Sequence, residues 1–497
     1  MSQCKSILVY TNQNFYNTNL LLLNPANTEE IKNLKENDKE LKNANTVYPQ
    51  KGNTPLDLQK ILKDFPSNPI TLENITNNRE NFEVINLKNT NGKTISKDDE
   101  QRLVFQLAKT IDDNYYVKTG LYAGVITIKG ITFNIIPKNI ALFKRMLNFA
   151  NNIYVDKTES NSEKSQEPSE FPLFEYLFLT SLKKASVLGF PQEYTKIQYH
   201  DIRVHGNIDV NSYIKKDILF KGKLSSKRNE RQYVQCIVDV LSAALSACKN
   251  DIQKMFPNLS FVSSELKAAA SGRRPTLETI QKAKNHRALH NPMFAPFRRT
   301  LDYAELILRK QNLISSDEEK SSNKISGYLL DVASLWELYL ENLLRNNFQS
   351  EGWTISAQEE LSLYEHTFFA RNNYPDLVMR HEDGRLVVLD AKFKKMDFAL
   401  DHYGNCDVDR TDLFQIQSYA GYYREKGENI ILCGLIYPLS QKNPIENKTY
   451  LYGPGISDIN FIIDGIYTGD EKNFISGQEL PEQESAFIER LKEIINS

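Results

Sequence analysis

YPDLVMRHEDGRLVVLDAKFK, residues 374–394, is the stretch that decides the fold of the last third of the chain. Residues 377–379 and 386–389 are apolar and rich in β-forming side chains. The Asp383-Gly384 pair between them is typical of a tight turn. The stretch therefore predicts two antiparallel strands joined as a β-hairpin.

Three charged side chains are expected to cluster at one end of this hairpin. Asp390 and Lys392 share a face of the second strand, because side chains alternate between faces. Asp376 begins the first strand and can meet Asp390 across the hairpin. Two carboxylates beside a lysine suit a divalent-metal site, in which Mg²⁺ would hold a phosphate and a water. A salt-bridged surface hairpin explains the same residues, and this stretch alone leaves both interpretations open.

The composition is that of an ordinary soluble protein without bulk affinity for nucleic acid. Of 497 residues, 25% are charged and 40% hydrophobic, and the net charge is −2. DNA contact would therefore depend on local basic patches. The five cysteines are scattered, without a C-x-x-C pair, which argues against zinc, iron–sulfur and disulfide sites. Since no apolar run approaches about 18 residues and no signal peptide is evident, we expect a cytoplasmic protein without membrane contact.

The length and two polar breaks predict three domains. A chain of this length exceeds what one hydrophobic core holds. Residues 156–170 contain no apolar side chain, and residues 315–323 form a second polar break. We therefore expect an α+β domain over residues 1–155, a mainly helical middle region with some strands over residues 171–315, and an α/β domain over residues 320–497.

The N-terminal domain contains the clearest β segment of the first half of the chain. Residues 122–136 alternate apolar side chains around a Lys129-Gly130 turn, which predicts a hairpin. Residues 101–111 are predicted to form a helix before it.

A phosphate-binding loop is missing from the sequence. Gly92-Lys93-Thr94 resembles the end of such a loop, but the glycine required five positions before Gly92 is replaced by Leu87. The Gly-Lys pair at 222–223 is followed by leucine, where serine or threonine is required. The chain therefore carries no recognisable nucleotide-hydrolysing motor.

Residues 267–299 form the most basic stretch of the chain. Two phenylalanines are interleaved with the charges, a pattern that could follow a phosphate backbone. For any single residue, an exposed helical face or loop is the alternative. As a group we favour contact with DNA or a partner. The residues concerned are Lys267, Arg273, Arg274, Lys282, Lys284, His286, Arg287, His290, Arg298 and Arg299, with Phe294 and Phe297 among them.

Residues 327–348 are predicted to form one amphipathic helix, with Glu337 at the edge of its apolar stripe. A carboxylate beside the core-facing Trp336 is costly unless it is paired or binds a metal, which makes Glu337 a candidate third acid. A solvated edge residue is the alternative, and the helix alone does not decide between them.

A second helix is predicted over residues 411–424. Gln415 and Tyr419 are one turn apart, so an amide and a phenol line one helix face. A tyrosine-rich packing stripe is the alternative interpretation. The order of a helical Glu, a hairpin with Asp and Asp-x-Lys, and a helical Gln-x-x-x-Tyr is far rarer by chance than any part alone. Residues 430–437 would add a buried strand, which gives an α/β sandwich.

These motifs resemble those of a known nuclease family. The hairpin resembles the PD-(D/E)XK motif, and the last third of the chain is similar to the nuclease half of the McrC family. McrC proteins are the cleaving subunits of McrBC-type modification-dependent restriction systems. Residues 374–376 and 388–394 match the two catalytic strings of that family, residues 412–420 match the following helix, and residues 335–337 match a helix ending in Phe-Glu, with Trp336 for Phe.

The resemblance extends upstream, over roughly residues 122–437 in all. It includes residues 124–138, with an Ile-Ile-Pro-Lys ending, and residues 204–209. At the second place the family pattern has arginine before the glycine, whereas this chain has His205. The first hundred residues take no part in the resemblance.

The resemblance implies metal-dependent hydrolysis of DNA phosphodiesters. Asp376 and Asp390, with the Ala391 carbonyl, would bind Mg²⁺ or Mn²⁺, and Glu337 would assist directly or through water. Lys392 would activate the attacking water or stabilise the phosphate. The same resemblance implies that Gln415 and Tyr419 would hold the scissile strand or a nearby water.

The resemblance also implies partners. These are double-stranded DNA, modified or foreign, and a separate McrB-like AAA+ GTPase that moves along it, which residues 1–155 would contact. Two nuclease domains would then meet on one duplex. A DNA-repair or DNA-processing nuclease and a catalytically dead DNA-binding scaffold are the competing interpretations of the sequence.

Overall fold

The structure is a computed structural model in which the chain divides into two compact units. Unit 1 comprises Met1–Phe171 with Ser321–Ser497, and unit 2 comprises Pro172–Lys320. Unit 1 thus contains both the N-terminal region and the region of the predicted nuclease. The described residues are 5–10, 14–17, 48–49, 70–71, 82–85, 103–109, 115–128, 131–150, 173–219, 222–253, 256, 259–310, 326–363, 371–394, 408–442, 448–453, 455–469 and 474–496.

The strands are β1 (Lys5–Tyr10), β2 (Asn14–Asn17), β3 (Tyr48–Pro49), β4 (Ile70–Thr71), β5 (Phe82–Ile85), β6 (Leu103–Lys109), β7 (Tyr115–Thr119), β8 (Tyr122–Ile128), β9 (Ile131–Ile136), β10 (Gln192–Asp201), β11 (Asn207–Ile208), β12 (Leu224–Tyr233), β13 (Ser326–Asp331), β14 (Trp353–Ala357), β15 (Leu361–Leu363), β16 (Arg371–Asn373), β17 (Leu377–His381), β18 (Arg385–Ala391), β19 (Asn429–Leu439), β20 (Lys448–Tyr450) and β21 (Asn460–Tyr467).

The α-helices are α1 (Ile140–Ala150), α2 (Leu173–Ala185), α3 (Val210–Ser212), α4 (Gln235–Ala247), α5 (Asn250–Gln253), α6 (Leu259–Ala269), α7 (Leu277–Lys284), α8 (Phe297–Lys310), α9 (Val332–Phe348), α10 (Arg410–Glu425) and α11 (Leu480–Asn496). Short 3₁₀ turns occupy Ser186–Leu188, Arg287–His290 and Gln349–Glu351, and a π turn occupies Tyr213–Asp217. Among the described residues, no helix combines the length and the apolar character needed to cross a bilayer.

The N-terminal part of unit 1 is built on two sheets. A six-stranded sheet has the order β3-β1-β9-β8-β13-β5, and a four-stranded sheet has the order β2-β7-β6-β4. Strands β8 and β9 pair antiparallel, which confirms the hairpin predicted over residues 122–136. The helix predicted over residues 101–111 is wrong. Strand β6 lies there, because pairing with β7 and β4 on its two sides overrides the local helical pattern.

The amphipathic helix predicted over residues 327–348 begins later than expected. Its first residues form β13, which pairs antiparallel with β8 and parallel with β5 in the N-terminal sheet. Helix α9 follows at once, because the Asp331 carboxylate accepts the backbone N–H groups of Ala333 (2.9 Å) and Ser334 (3.1 Å) and so caps it. The helix that carries Glu337 therefore starts directly from a strand of the N-terminal sheet.

The C-terminal part of unit 1 is organised around a six-stranded sheet of order β14-β17-β18-β19-β21-β20. Strands β17 and β18 form the predicted antiparallel hairpin, and Gly384 closes its turn with a φ of +93°, which a side chain would strain. Strand β19 lies parallel to β18, and β21 lies parallel to β19. The hairpin and the buried strand predicted over residues 430–437 are both confirmed.

Helices cover both faces of this sheet. Val388 of β18 and Leu435 of β19 belong to one buried cluster with Ile416 of α10. The ring of Trp336 in α9 lies 5.9 Å from the ring of Phe393, which follows β18. Because side chains alternate along a strand, the odd-numbered Phe393 lies on the face opposite to that of Val388, and α9 covers that face. The predicted α/β sandwich is confirmed, and even-numbered Asp390 and Lys392 lie on the α10 face.

A buried ionic cluster links helices α1, α9 and α11 of unit 1. Glu484 of α11 is 5% exposed and accepts two hydrogen bonds from Arg145 of α1, each 2.8 Å long. The Tyr339 hydroxyl of α9 donates a third, 2.6 Å long. Since α1 follows the N-terminal sheet, this cluster holds α9, which carries Glu337, against the N-terminal part of unit 1.

Unit 2 contains the three-stranded sheet β10-β12-β11 and a group of helices. Helix α8 packs against α2 and α4 through an apolar core that includes Leu177, Leu241 and Leu301. The predicted mainly helical character of the middle region matches these elements.

We expect Arg145→Met to lower the free energy of unfolding of unit 1 by about 3 kcal/mol, because it leaves the Glu484 carboxylate buried without a cation. Urea unfolding followed by tryptophan fluorescence measures this directly. Both tryptophans of the chain, Trp336 and Trp353, lie in unit 1.

The control is Arg345→Met, which breaks a 2.7 Å ion pair between an exposed arginine and the partly exposed Glu341, one helical turn away. Its expected effect is within about 0.5 kcal/mol. Equal losses in the two variants would contradict a stabilising role for the buried cluster.

Candidate active site

The centre of the site is a buried carboxylate at the end of β18. Asp390 is fully buried, and neither of its oxygens has a hydrogen bond. The Lys392 ammonium lies 2.6 Å from one of these oxygens, an ion pair without hydrogen-bond geometry. Asp376 lies opposite on the neighbouring strand, where its carboxylate accepts the Ala391 N–H at 2.9 Å. The structure thus brings the predicted Asp376, Asp390, Ala391 and Lys392 together.

The charged groups of this cluster shift one another's pKa values. Burial raises the pKa of Asp390 well above its usual value, and repulsion from Asp376 raises it further, while Lys392 partly offsets both. Burial alone would lower the pKa of Lys392, but attraction to Asp390 outweighs it, so the pKa is raised. The lysine is therefore a charged ammonium, and it stabilises the ionised form of the carboxylate beside it.

A chain of hydrogen bonds runs from Lys392 along helix α10. The ammonium donates to the Gln415 side-chain oxygen at 2.8 Å, and the Gln415 amide donates to the Tyr419 hydroxyl at 2.6 Å. The Tyr419 hydroxyl in turn donates to the Tyr374 carbonyl at 3.1 Å, beside Asp376. The predicted one-turn spacing of Gln415 and Tyr419 thus places both side chains against the lysine and the first strand.

Asp412 also belongs to the site, in addition to the residues that the sequence motifs predicted. It is 5% exposed, and its carboxylate lies 3.7 Å from the Lys392 ammonium and 2.6 Å from that of Lys394. It also accepts the Tyr437 hydroxyl at 3.0 Å. Its position one turn before Gln415 on the same helix was the available signal, since residues three apart share a face.

Glu337 stands apart from the two aspartates. It is half-buried and accepts a 3.3 Å hydrogen bond from the Gln358 side-chain amide, whose backbone N–H donates to the Asp376 carbonyl at 3.2 Å. Within the described residues, no group of three or more His, Cys, Asp or Glu side chains is arranged to hold a metal. The structure therefore connects Glu337 with Asp376 through Gln358, a residue outside the predicted motifs.

The donor set fits a hard divalent cation held by two carboxylates. A fully buried carboxylate without a hydrogen bond is expensive, and a cation would satisfy its oxygens. Asp376 faces it from the next strand, and oxygen ligands are those that Mg²⁺ and Mn²⁺ take in proteins. Backbone oxygen and water would complete the coordination, because Mg²⁺ keeps several waters in such sites.

The basic stretch of unit 2 is only partly available for a partner. Lys282 pairs with Glu278, Lys284 lies within 3.0 Å of Asp302 and Glu305, and Arg287 lies 3.0 Å from Glu193. This pairing leaves fewer cations to face a phosphate backbone than the sequence suggests.

The two interleaved aromatic residues of that stretch are core residues. Phe294 and Phe297 are 5% and 0% exposed, with their ring centroids 6.5 Å apart. They pack inside unit 2 and are not placed to stack on bases. Contact of this stretch with DNA stays a prediction that rests on its exposed cations, such as Arg273 and Arg274.

Comparison with known proteins identifies the family. The family described as "McrBC 5-methylcytosine restriction system component" matches residues 117–438, more than half of the chain. The chain belongs to this McrBC family. The resemblance to McrC that the motifs indicated is thereby confirmed, over nearly the range that they predicted.

Two solved structures contain chains that are similar to this McrBC-family chain. A chain in the refined half-complex from the tetradecameric assembly of Thermococcus gammatolerans McrB AAA+ hexamers with bound McrC matches with a TM-score of 0.54 and 14% identity, over 98% of this chain and 100% of that chain. A chain of the cryo-EM structure of the T. gammatolerans McrBC complex matches with a TM-score of 0.36 and 14% identity, over 69% and 88%. No curated protein matches the sequence.

In metal-free buffer, we expect Lys392→Met to destabilise unit 1 by about 3 kcal/mol at pH 8 and by less at pH 5. Methionine removes the ammonium that offsets repulsion between Asp376 and Asp390, so the pKa of Asp390 rises further above its unfolded-state value. A carboxyl with a raised folded-state pKa favours folding while it is protonated, and this contribution is lost as the pH rises through that pKa.

Urea unfolding at both pH values tests this pH dependence. Lys442→Met, which changes an exposed lysine, is the matched control and should have a small effect that does not vary with pH. A Lys392→Met loss that is equal at pH 5 and pH 8 would refute the coupling.

Proposed function

We propose that this McrBC-family chain is the metal-dependent DNA endonuclease subunit of a McrBC-like restriction system. The observation that carries the proposal is the fully buried Asp390 carboxylate, which lacks hydrogen bonds and lies beside Lys392 and opposite Asp376. A structural salt bridge has no need to leave both oxygens of a buried carboxylate without hydrogen bonds.

Asp376 and Asp390, with the Ala391 carbonyl, would hold Mg²⁺ or Mn²⁺, and Glu337 would act on the same centre through water. When bound, the cation supplies a more acidic water and neutralises charge on the phosphate. The carboxylates provide the negative charge that draws the cation to the strand ends, where DNA phosphates would approach.

Lys392 presents its positive charge to the scissile phosphate in this proposal. The ammonium would stabilise the extra negative charge that develops on phosphate oxygens in the transition state. Gln415 and Tyr419 keep it in place, since the pKa of Tyr419 is raised by burial and by Asp390, which keeps its hydroxyl protonated and able to donate to Tyr374. Asp412 adds a second negative group that holds the ammonium.

We further propose that a McrB-like AAA+ GTPase activates this nuclease on modified or foreign double-stranded DNA. Family membership supports this proposal, and the sequence lacks a phosphate-binding loop of its own. Cleavage of both strands would then require two of these nuclease domains on one duplex, since each contributes one pair of aspartates.

Asp390→Ala and Lys392→Ala are each expected to lower the DNA cleavage rate by about 100-fold or more, because each removes charge that the transition state needs. The rate is measured on plasmid DNA with Mg²⁺, the GTPase partner and GTP. Binding of DNA and of the partner should survive in both variants.

The controls Asp458→Ala and Lys442→Ala replace the same residue types at exposed positions and should cleave as the wild type does. Cleavage by Asp390→Ala at the wild-type rate would rule out the nuclease centre described above. No cleavage by the wild type under the same conditions, with DNA binding intact, would instead favour a DNA-binding scaffold.

The wild-type chain alone is expected to cleave circular DNA at least about 10-fold more slowly than with its GTPase partner and GTP. The physical reason is that two nuclease domains must meet on one duplex, and delivery by a motor raises their local concentration. Cleavage assays with and without the partner, on circular and linear DNA, measure this. Full activity without any GTPase, starting from DNA ends, would instead identify a DNA-processing nuclease.

A further inference from the structure

Gln358 has a backbone conformation that side chains rarely adopt. Its φ is +50°, and it is the one non-glycine residue with a positive φ in the part of the chain that the structure describes. The left-handed region is disfavoured for residues with a Cβ, and glycine or asparagine usually takes such a position. Strain of this kind persists where the surroundings impose it, and it concentrates at functional sites.

The position of Gln358 brings it between two proposed site residues. It follows directly after β14, whose last residue, Ala357, is the register partner of Leu377 in β17. Its backbone N–H donates to the Asp376 carbonyl at 3.2 Å. Its side-chain amide donates to a Glu337 carboxylate oxygen at 3.3 Å. One residue thus contacts the strand that bears Asp376 and the helix that bears Glu337.

Each of the two contacts uses a different part of the residue. Any amino acid except proline supplies the N–H that reaches Asp376, so this contact alone does not require glutamine. The bond to Glu337 requires a side-chain donor on a backbone turned to a positive φ. Glycine would relieve the strain but would lose the amide. The contact with Glu337 thus gives a reason for a long amide side chain at a position with a positive φ.

We propose that Gln358 is a positioning residue of the active site, which sets where the Glu337 carboxylate lies relative to Asp376. This inference rests on the proposed function. Helix α9 packs on one face of the sheet that contains the β17–β18 hairpin, and Gln358, directly after the edge strand β14, contacts both. By holding the Glu337 oxygen, it would fix the acid that orients water around a cation bound by Asp376 and Asp390.

The affinity of the full-length protein for Mn²⁺ tests this role without any need for DNA cleavage. Isothermal titration with Mn²⁺ alone should show a dissociation constant raised by about 10–100-fold in Gln358→Gly and Gln358→Ala, the usual effect of losing a group that orients metal-binding residues. Gln358→Gly should melt at or above the wild-type temperature, because it removes the backbone strain. A purely structural residue would show the reverse pattern, with lower stability and unchanged affinity.

The matched control is Gln349→Ala, at an exposed glutamine after the end of α9. It should change neither the Mn²⁺ affinity nor the melting temperature.

A double-mutant cycle shows whether Gln358 acts through Glu337. If it does, Gln358→Ala in a Glu337→Ala background should weaken Mn²⁺ binding by less than about 2-fold, since coupled residues are not additive. Full additivity of the two substitutions, or wild-type affinity in Gln358→Gly, would overturn the inference.

The outcomes also separate this inference from the proposed function. If the wild type binds Mn²⁺ and cleaves DNA while the Gln358 variants bind Mn²⁺ normally, the positioning role is wrong and the nuclease proposal stands. If the wild type neither binds Mn²⁺ nor cleaves DNA with its partner and GTP, both are overturned.

Discussion

The ion pair between Asp390 and Lys392 is the constraint on which the rest of the candidate site depends. The Asp390 carboxylate has no exposed surface and is therefore costly to ionise. The Lys392 ammonium 2.6 Å away offsets its negative charge, but neither carboxylate oxygen has a hydrogen bond. The lysine must therefore be held firmly. Gln415 accepts a hydrogen bond from the ammonium and Asp412 adds negative charge, so helix α10 helps to keep this ammonium beside the carboxylate. Both oxygens of Asp390 remain without a hydrogen bond, and under the proposed function a bound cation would satisfy them.

The sheet divides the supporting elements between its two faces. Asp390, Lys392 and the hydrogen-bond chain along α10 lie on one face, whereas α9 with Glu337 packs on the other. Helix α9 is anchored independently of the site, by the strand that precedes it and by the buried cluster around Glu484. Gln358, directly after the edge strand β14, has a positive φ and contacts both Glu337 of α9 and the Asp376 carbonyl.

Local sequence determined the elements that carry the chemistry. The Asp383-Gly384 turn and the β-rich runs around it specify the hairpin, and alternation along its second strand places Asp390 and Lys392 on one face. The helical spacing of Gln415 and Tyr419 specifies a shared face of α10. These features follow from periods of two and of 3.6 residues. They act within a few residues of one another, so they are visible without knowledge of the fold.

Tertiary structure decided which residues contact those elements, because strand pairing and burial bring together residues that are far apart in the chain. Pairing with β8 and β5 made a strand of Ser326–Asp331, where the local pattern continued a helix. Burial drew Phe294 into the core of unit 2, although its basic neighbours suggested a nucleic-acid surface. Gln358 entered the site only through its contacts with other elements, since no local pattern pointed to it. Sequence thus determined the hairpin and its charges, and only the packing of sheet and helices decided which groups hold those charges in place.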